Sequence, residues 1–151
     1  MKLIAFTDGA ARGNPGESGI GVVLQSPEGT VVKTLNGYLG MATNNVAEYT
    51  ALIACLQAAV KLQCTELTVF ADSELMVRQV NGQYKVKDAT LKVLHKKVIE
   101  LAAQSRLKFS IAHIERSKNS EADRLANEAI DHKTPLEGFP AGRFAQQDLF
   151  H

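Results

Sequence analysis

Four acidic residues lie at or near the ends of apolar segments of the sequence: Asp8, Glu48, Asp72 and Asp123. Asp8 follows the strand-forming run 3–6 and opens a glycine-rich stretch that ends at Gly16. An apolar run without polar alternation is typical of a strand covered on both faces. Because burying an unpaired carboxylate is costly, Asp8 needs a cation, hydrogen-bond donors or a chemical role, unless it only shapes an Asp-Gly turn.

Each of the other three acids also has a structural alternative to a chemical role. Asp72 precedes a short predicted helix and could be its N-cap. Glu48 follows Asn45 by three residues, so it could close a capping box. Asp123 has the same spacing from Ser120 and the same alternative. For each acid taken alone, both interpretations stay open.

The pattern of apolar residues predicts the elements that would position these acids. Strands are predicted at 3–6, 19–24, 31–39, 67–71 and 108–115, and helices at 45–62, 74–80, 89–103 and 119–132. Three strands joined by short turns form an antiparallel meander. We therefore expect an α/β fold with a five-stranded mixed sheet, the meander plus two parallel strands, and helices on both faces. Residues 1–132 form the predicted domain and 133–151 a surface tail.

This topology would bring the four acids to one rim of the sheet. The first and fourth strands should lie side by side and parallel, which makes Asp8 and Asp72 neighbours at the strand ends where open α/β sheets bind ligands. Crowded carboxylates repel one another and are tolerated mainly where divalent cations bridge them. Oxygen ligands without nearby His or Cys suit Mg²⁺ or Mn²⁺ better than zinc.

The motifs around these acids resemble, in the same order, those of type 1 ribonuclease H. They are Thr7-Asp-Gly-Ala-Ala-Arg-Gly-Asn-Pro-Gly, Thr43-Asn-Asn-Val-Ala-Glu-Tyr, Ala71-Asp-Ser-Glu-Leu and Asn119-Ser-Glu-Ala-Asp-Arg-Leu-Ala. The resemblance covers residues 2–132 and implies the ribonuclease H fold. It also implies an endonuclease that uses two Mg²⁺ or Mn²⁺ ions to hydrolyse the RNA strand of an RNA–DNA hybrid, leaving 5′-phosphate and 3′-hydroxyl ends.

The resemblance further implies a role for each acid and a set of substrate contacts. Asp8 would bridge both ions, and Glu48 and Asp72 would hold the ion nearer the leaving group. Asp123 would complete the site that activates water. Glu48 would also reach a ribose 2′-hydroxyl, the group that distinguishes RNA from DNA. The short polar residues expected at sugars and phosphates, which also suit turns and helix caps, are Asn14, Thr43, Asn44, Asn45 and Ser73.

The sequence departs from many members of that family in two places. The segment 116–119 has no His, whereas many members carry a loop His there. Arg116 could contact a phosphate in its place but could not act as a base, and His113 is expected to pack inside the last strand. The short connector 82–87 stands where some members have a long basic protrusion. The lysines that could receive the DNA strand, or form an ordinary solvated face, are Lys85, Lys87, Lys92, Lys96 and Lys97.

Composition restricts the class of protein further. The chain has 151 residues, of which 45% are hydrophobic and 22% charged, as in one globular domain. Its net charge of +1 means that nucleic-acid binding would need a local patch. Because Asp8 interrupts the first apolar run, we expect no secretory signal, and no apolar run reaches the ~18 residues of a membrane span. We expect a monomeric, cytoplasmic protein that spans no membrane, with Cys55 and Cys64 reduced and buried.

Two other functions are compatible with these features. An enzyme of the same chemistry could also cleave double-stranded RNA. A non-catalytic hybrid-binding module would use the same fold, but it is expected to have lost at least one of the four acids, and all four are present. An ATPase of the sugar-kinase type would need duplicated domains, for which the chain is too short.

The C-terminal tail contains a second resemblance. Gln146-Gln-Asp-Leu-Phe150 is similar to the motif Gln-Leu-Ser/Asp-Leu-Phe by which bacterial replication and repair proteins dock on the sliding clamp. Gln147 stands where Leu is usual. Leu149 and Phe150 would be the apolar anchors. Alternatively, these two residues and Phe144 fold back and cover core surface.

Overall fold

The computed structural model describes residues 1–136, which form a five-stranded sheet with four α-helices. The strands are β1 (Lys2–Gly13), β2 (Gly16–Gln25), β3 (Val31–Ala42), β4 (Glu66–Ala71) and β5 (Lys108–His113). The helices are α1 (Asn44–Lys61), α2 (Glu74–Val80), α3 (Ala89–Gln104) and α4 (Ser120–His132), and a 3₁₀ turn at Arg116–Lys118 precedes α4. The order of elements is the predicted one, and the bounds agree within three residues except in β1.

The strands are arranged in the order β3-β2-β1-β4-β5. β2 is antiparallel to both β1 and β3, whereas β4 is parallel to both β1 and β5. The fold class predicted from the sequence, a meander plus two parallel strands, is therefore confirmed. β1 lies at the centre of the sheet, and the carboxyl end of β4 lies beside the middle of β1.

The predicted end of the first strand is wrong. β1 does not stop at Phe6 but continues past Asp8 to Gly13, because β2 supplies a partner for every residue from Asp8 onwards. Only the pairing with β4 stops early, at Thr7 opposite Ala71. Asp8 is therefore the first residue of β1 beyond the end of β4.

Helices pack on both faces of the sheet. Ile20 of β2 is buried with Ala47 and Ala51 of α1. The next residue, Gly21, faces α4 so closely that a Cβ atom there would lie 2.1 Å from the carbonyl oxygen of Ala122. Since successive strand residues point to opposite faces, α1 and α4 lie on opposite sides of the sheet. The larger cluster on the α1 side is formed by side chains such as Leu24, Leu52, Leu56, Val69 and Leu94.

The described chain stays packed after α4. The carbonyl oxygen of Thr134 accepts a hydrogen bond from the N–H of Tyr38, 2.7 Å away, at the free edge of β3. Leu136 is buried in one cluster with Leu39 of β3 and with Ala51 and Ala54 of α1. Residues 133–136 thus cover β3, and the motif predicted at 146–150 lies outside the described residues.

Two further expectations from the sequence concern the two cysteines and a membrane-spanning helix. Cys55 and Cys64 are both buried free thiols, as expected. Among residues 1–136, no helix combines the length and the apolar character that crossing a membrane requires.

Candidate metal centre and active site

Three of the four predicted acids meet at the rim of the sheet. Asp8 comes from β1, Glu48 from α1 and Asp72 from the residue after β4. One carboxylate oxygen from each lies within 4.8 Å of the others. Asp8 and Glu48 are only 5% and 3% exposed. Three converging carboxylates, without His or Cys in the set, form a donor set that suits a hard divalent cation.

Asp123 joins this group from α4. It lines the same cleft of about 370 Å³ as the other three acids. Its side chain accepts a hydrogen bond from Nδ2 of Asn127 at 3.3 Å, and Nη2 of Arg116 lies 3.8 Å from its Oδ1 atom. The residues that line the cleft are Asp8, Gly9, Ala10, Ala11, Arg12, Asn44, Glu48, Asp72, Arg116, Asp123 and Asn127.

The contact between β1 and α1 positions Glu48. The N–H of Gly9 donates a hydrogen bond to Oε1 of Glu48. A Cβ atom on Gly9 would lie 2.2 Å from the main-chain carbon of Ala47, so only glycine allows this approach. The N-cap of α1 is Thr43, whose Oγ1 atom accepts from the N–H of Val46 at 3.2 Å. Glu48 therefore faces the cleft and is not held in the capping box that its spacing allowed.

Capping also fails to account for Asp72 and Asp123. The N-cap of α2 is Ser73, which accepts from the N–H of Met76. Asp72 instead accepts a hydrogen bond from Nδ2 of Asn119 at 3.0 Å. The N-cap position of α4 is Asn119, and its side chain makes no capping hydrogen bond. Both acids are thus directed to the cleft by contacts other than helix caps.

Burial and mutual repulsion disfavour the charged forms of the buried acids. Burial, followed by the charges of Glu48 and Asp72, raises the pKa of Asp8 to about 10. Burial also raises the pKa of Glu48 to about 8, although the hydrogen bond from Gly9 and the charge of Arg116 act in the opposite direction. A divalent cation in the cleft would reverse this balance because it favours ionised carboxylates.

The predicted substrate contacts lie at different distances from the acids. Asn44 and Arg116 line the cleft. Asn14 contacts the start of α1, since its Oδ1 atom accepts from the N–H of Asn44 at 3.1 Å. Thr43 and Ser73 are the N-caps of α1 and α2, next to cleft residues in sequence. In the described structure, Asn45 lies in the first turn of α1 but is not a lining residue.

The predicted lysines do not form one group at the acids. Lys85 and Lys92 line another cleft, of about 500 Å³, between α2 and α3, together with Tyr84 and His95. The ring of Tyr84 is covered by the guanidinium group of Arg78 at 5.3 Å.

His113 is not packed in the core, so that expectation from the sequence is wrong. It is exposed at the last position of β5, opposite Ala71. β5 is an edge strand, and its buried residue is Ile111, two positions earlier. The strand therefore leaves the core before it reaches His113.

Sequence reasoning missed a chain of contacts that supports Asp123. Nη1 of Arg12 lies 2.6 Å from Oδ1 of Asp131, and its Nη2 donates to Oδ1 of Asn127 at 3.2 Å. Asn127 in turn donates to Asp123. The available signal was the four-residue spacing of positions 123, 127 and 131, which puts them on one face of a helix.

A first prediction concerns the close approach at Gly9. We expect Gly9→Ala to lower the free energy of unfolding by about 3 kcal/mol, because the added methyl group meets main-chain atoms that cannot rotate away. Urea denaturation followed by circular dichroism measures this. Gly29→Ala is the control, since Gly29 has open space and adds only the strain of its positive φ of 95°. Equal losses in the two variants would show that the packing of β1 on α1 is not the cause.

Comparison with known proteins agrees with this fold. A family model described as "Reverse transcriptase-like" matches residues 6–129. The Ribonuclease H of Chlorobium luteolum is 33% identical over 146 residues, which cover 87% of this chain and 97% of that protein. The Bifunctional protein Rv2228c of Mycobacterium tuberculosis is 45% identical over 132 residues, or 87% of this chain. The chain spans only 36% of the length of that mycobacterial relative.

The solved structures include a close structural neighbour with a nucleic acid. LC11-RNase H1, isolated from compost by a metagenomic approach, was crystallised in complex with an RNA/DNA hybrid. It superposes with a TM-score of 0.83 at 44% identity, covering 86% of this chain and 97% of that one. The strand order and the superposition on LC11-RNase H1 define an α/β domain of the ribonuclease H class. The chain belongs to the type 1 ribonuclease H family.

Proposed function

We propose that this chain is a metal-dependent endoribonuclease that hydrolyses the RNA strand of RNA–DNA hybrids and leaves 5′-phosphate and 3′-hydroxyl ends. The observation that carries the proposal is the convergence of Asp8, Glu48 and Asp72 within 4.8 Å in a cleft that Asp123 also lines. The hybrid bound to the related LC11-RNase H1 supports the choice of substrate.

The four acids fit a centre of two Mg²⁺ or Mn²⁺ ions. When bound, such ions polarise the scissile phosphate and lower the pKa of an attacking water. Asp8, which interacts with each of the other three acids, would contribute to both ion sites, and Glu48 and Asp72 would contribute to one of them. Asp123 would complete the set, and its contact with Asn127 restricts the rotation of its carboxylate.

Recognition of the hybrid would depend on sugars and phosphates and not on base edges. Amide and hydroxyl groups at the starts of α1 and α2 suit such contacts, which carry no sequence information. The proposed contact residues are Asn14, Thr43, Asn44, Asn45, Ser73 and Arg116. Glu48 lies in the cleft where it could accept a hydrogen bond from a ribose 2′-hydroxyl, which would select the RNA strand.

Cleavage of labelled duplexes tests this proposal. RNA–DNA, RNA–RNA and DNA–DNA duplexes of one sequence are incubated with Mg²⁺ or with excess EDTA. In each duplex the same strand, which is RNA in the first two and DNA in the third, carries a label at its 5′ end. We expect internal cleavage of the RNA strand of the hybrid with Mg²⁺ only. Comparable cleavage of the RNA–RNA duplex would instead establish an enzyme of broader specificity that also cleaves double-stranded RNA. Binding without cleavage in Mg²⁺ and in Mn²⁺ would identify a non-catalytic module and contradict the proposal.

A second prediction concerns Arg116. Its side chain is 81% exposed beside Asp123, so its charge is available to a phosphate group. We expect Arg116→Ala to raise KM for the hybrid and to reduce the slope of log KM against log salt by about 0.9, the effect of one lost phosphate contact. Arg116→Lys should retain most of the slope. Arg124→Ala is the control, because Arg124 pairs with Glu121 and Glu128 elsewhere on α4. An unchanged slope in Arg116→Ala would exclude the phosphate contact.

The remaining proposals concern the whole protein. We assign the activity to residues 1–132 together with the packed residues 133–136. We propose that the protein is a monomer and acts in the cytoplasm. We further propose that it docks on a sliding clamp through Gln146–Phe150, the segment that resembles a clamp-binding motif. Truncation before residue 146 should leave cleavage of a free hybrid unchanged while removing clamp binding in calorimetry. Clamp binding that survives truncation would contradict this docking.

A further inference from the structure

We infer that Asn119 is a positioning residue that orients the carboxylate of Asp72 for the metal. Asn119 is 1% exposed. Its Nδ2 atom donates hydrogen bonds to Oδ2 of Asp72 at 3.0 Å and to the carbonyl oxygen of Thr7 at 2.8 Å. One buried amide thus joins the start of α4 to β1 and to the residue after β4. The inference rests on the proposed function, because it concerns the same site.

The orientation of this amide is fixed by its neighbours. Both partners of Nδ2 are acceptors, so only the NH₂ group can face them. The Oδ1 atom of Asn119 has no hydrogen-bond partner among the described residues, although it is buried. An asparagine at an N-cap normally uses this oxygen to accept from an N–H of the first turn. Asn119 makes no such bond, so its side chain serves Asp72 and β1 and not its own helix.

These contacts determine what Asp72 can offer to a cation. With Oδ2 engaged by Asn119, the carboxylate cannot rotate freely, and its remaining lone pairs would be available to an ion. Thr7 directly precedes Asp8, so the second hydrogen bond ties the position of Asp72 to that of Asp8. The N–H donors also offset part of the negative charge that the acids bring together. Partners of this kind typically change metal affinity 10–100-fold when they are removed.

The test compares Mg²⁺ binding in the wild type and in three variants. Asn119→Ser keeps a residue that favours an N-cap but loses the amide that bridges Asp72 and Thr7, and Asn119→Ala is the second variant. The matched control is Asn36→Ala. Nδ2 of Asn36 donates to the carbonyl oxygen of Leu125 at 3.0 Å, so Asn36 also joins the sheet to α4, but from β3. Folding is verified by circular dichroism at 10 °C, and Mg²⁺ affinity is measured by calorimetry without nucleic acid.

We expect both Asn119 variants to bind Mg²⁺ roughly ten- to a hundredfold more weakly, whereas Asn36→Ala binds it like the wild type. Cleavage by the Asn119 variants should recover at high Mg²⁺ concentration. Wild-type affinity in folded Asn119 variants would overturn the inference, and so would variants that stay unfolded at 10 °C while Asn36→Ala folds. Failure of the proposed function is distinct, because the wild type itself would then neither bind Mg²⁺ nor cleave the hybrid.

Discussion

Asp72→Asn is expected to reduce hydrolysis of RNA in a hybrid by on the order of 10³-fold while leaving the fold intact. The amide has the shape of the carboxylate and its oxygen can still accept from Asn119, but the charge that would hold the cation is lost. Rates on a labelled hybrid in Mg²⁺, together with the melting temperature and hybrid affinity of the variant, measure the effect.

Asp88→Asn is the matched control for this substitution. Asp88 caps α3, where its Oδ1 atom accepts from the N–H of Leu91 at 2.9 Å. Asparagine caps helices about as well as aspartate, so this variant should retain wild-type activity. Full activity of Asp72→Asn, or of the wild type in excess EDTA, would contradict a metal centre at the rim of the sheet.

The metal-free protein is expected to lose stability as the pH rises from about 5 to 9. The pKa values of Asp8, about 10, and of Glu48, about 8, are raised in the folded state, whereas unfolded carboxyls titrate near pH 4. Between these limits the native state binds more protons than the unfolded state, so the free energy of unfolding falls with increasing pH. Urea denaturation in EDTA at pH 5, 7 and 9 measures the trend.

Mg²⁺ should oppose this loss, because its proposed binding to the native acids would favour their ionised forms. At a concentration 100 times its Kd, it adds about 2.7 kcal/mol to the free energy of unfolding. Asp8→Asn should raise the stability of the metal-free protein and flatten its dependence on pH, since one of the repelling groups is removed. A wild-type curve in EDTA that is flat or rises with pH would contradict the electrostatic account. A clear loss of stability in Asp8→Asn would mean that hydrogen bonding by Asp8 outweighs repulsion.

The sequence predicted the elements well where a local signal exists. The helical spacing of Tyr49, Ile53 and Leu56 identifies α1, because these side chains form one buried stripe. The end of β1 was missed because Gly9 indicates a turn in sequence, whereas in the fold it provides space for α1. Whether a glycine bends the chain or admits a neighbour depends on an element 39 residues away, the separation of Gly9 and Glu48.

In the candidate site, the meeting of the acids could be predicted from the sequence, whereas the contacts that support them could not. Parallel pairing of the first and fourth strands was enough to predict that Asp8 and Asp72 are neighbours, and their carboxylates do meet. The supporting contacts were not predicted, since Asn119 reaches Thr7 across 112 residues of sequence. A buried amide has no sequence pattern of its own, and its partners are known only once the sheet and α4 are assembled.

Anomalous diffraction from crystals soaked in Mn²⁺, with a non-hydrolysable hybrid analogue bound, would test the proposed metal centre most directly. We expect one strong anomalous peak within coordination distance of carboxylate oxygens of Asp8, Glu48 and Asp72, and a second peak between Asp8 and Asp123. Saturating Mn²⁺ that leaves this cleft empty, or that binds only at other residues, would contradict the assignment of these four acids as the metal centre.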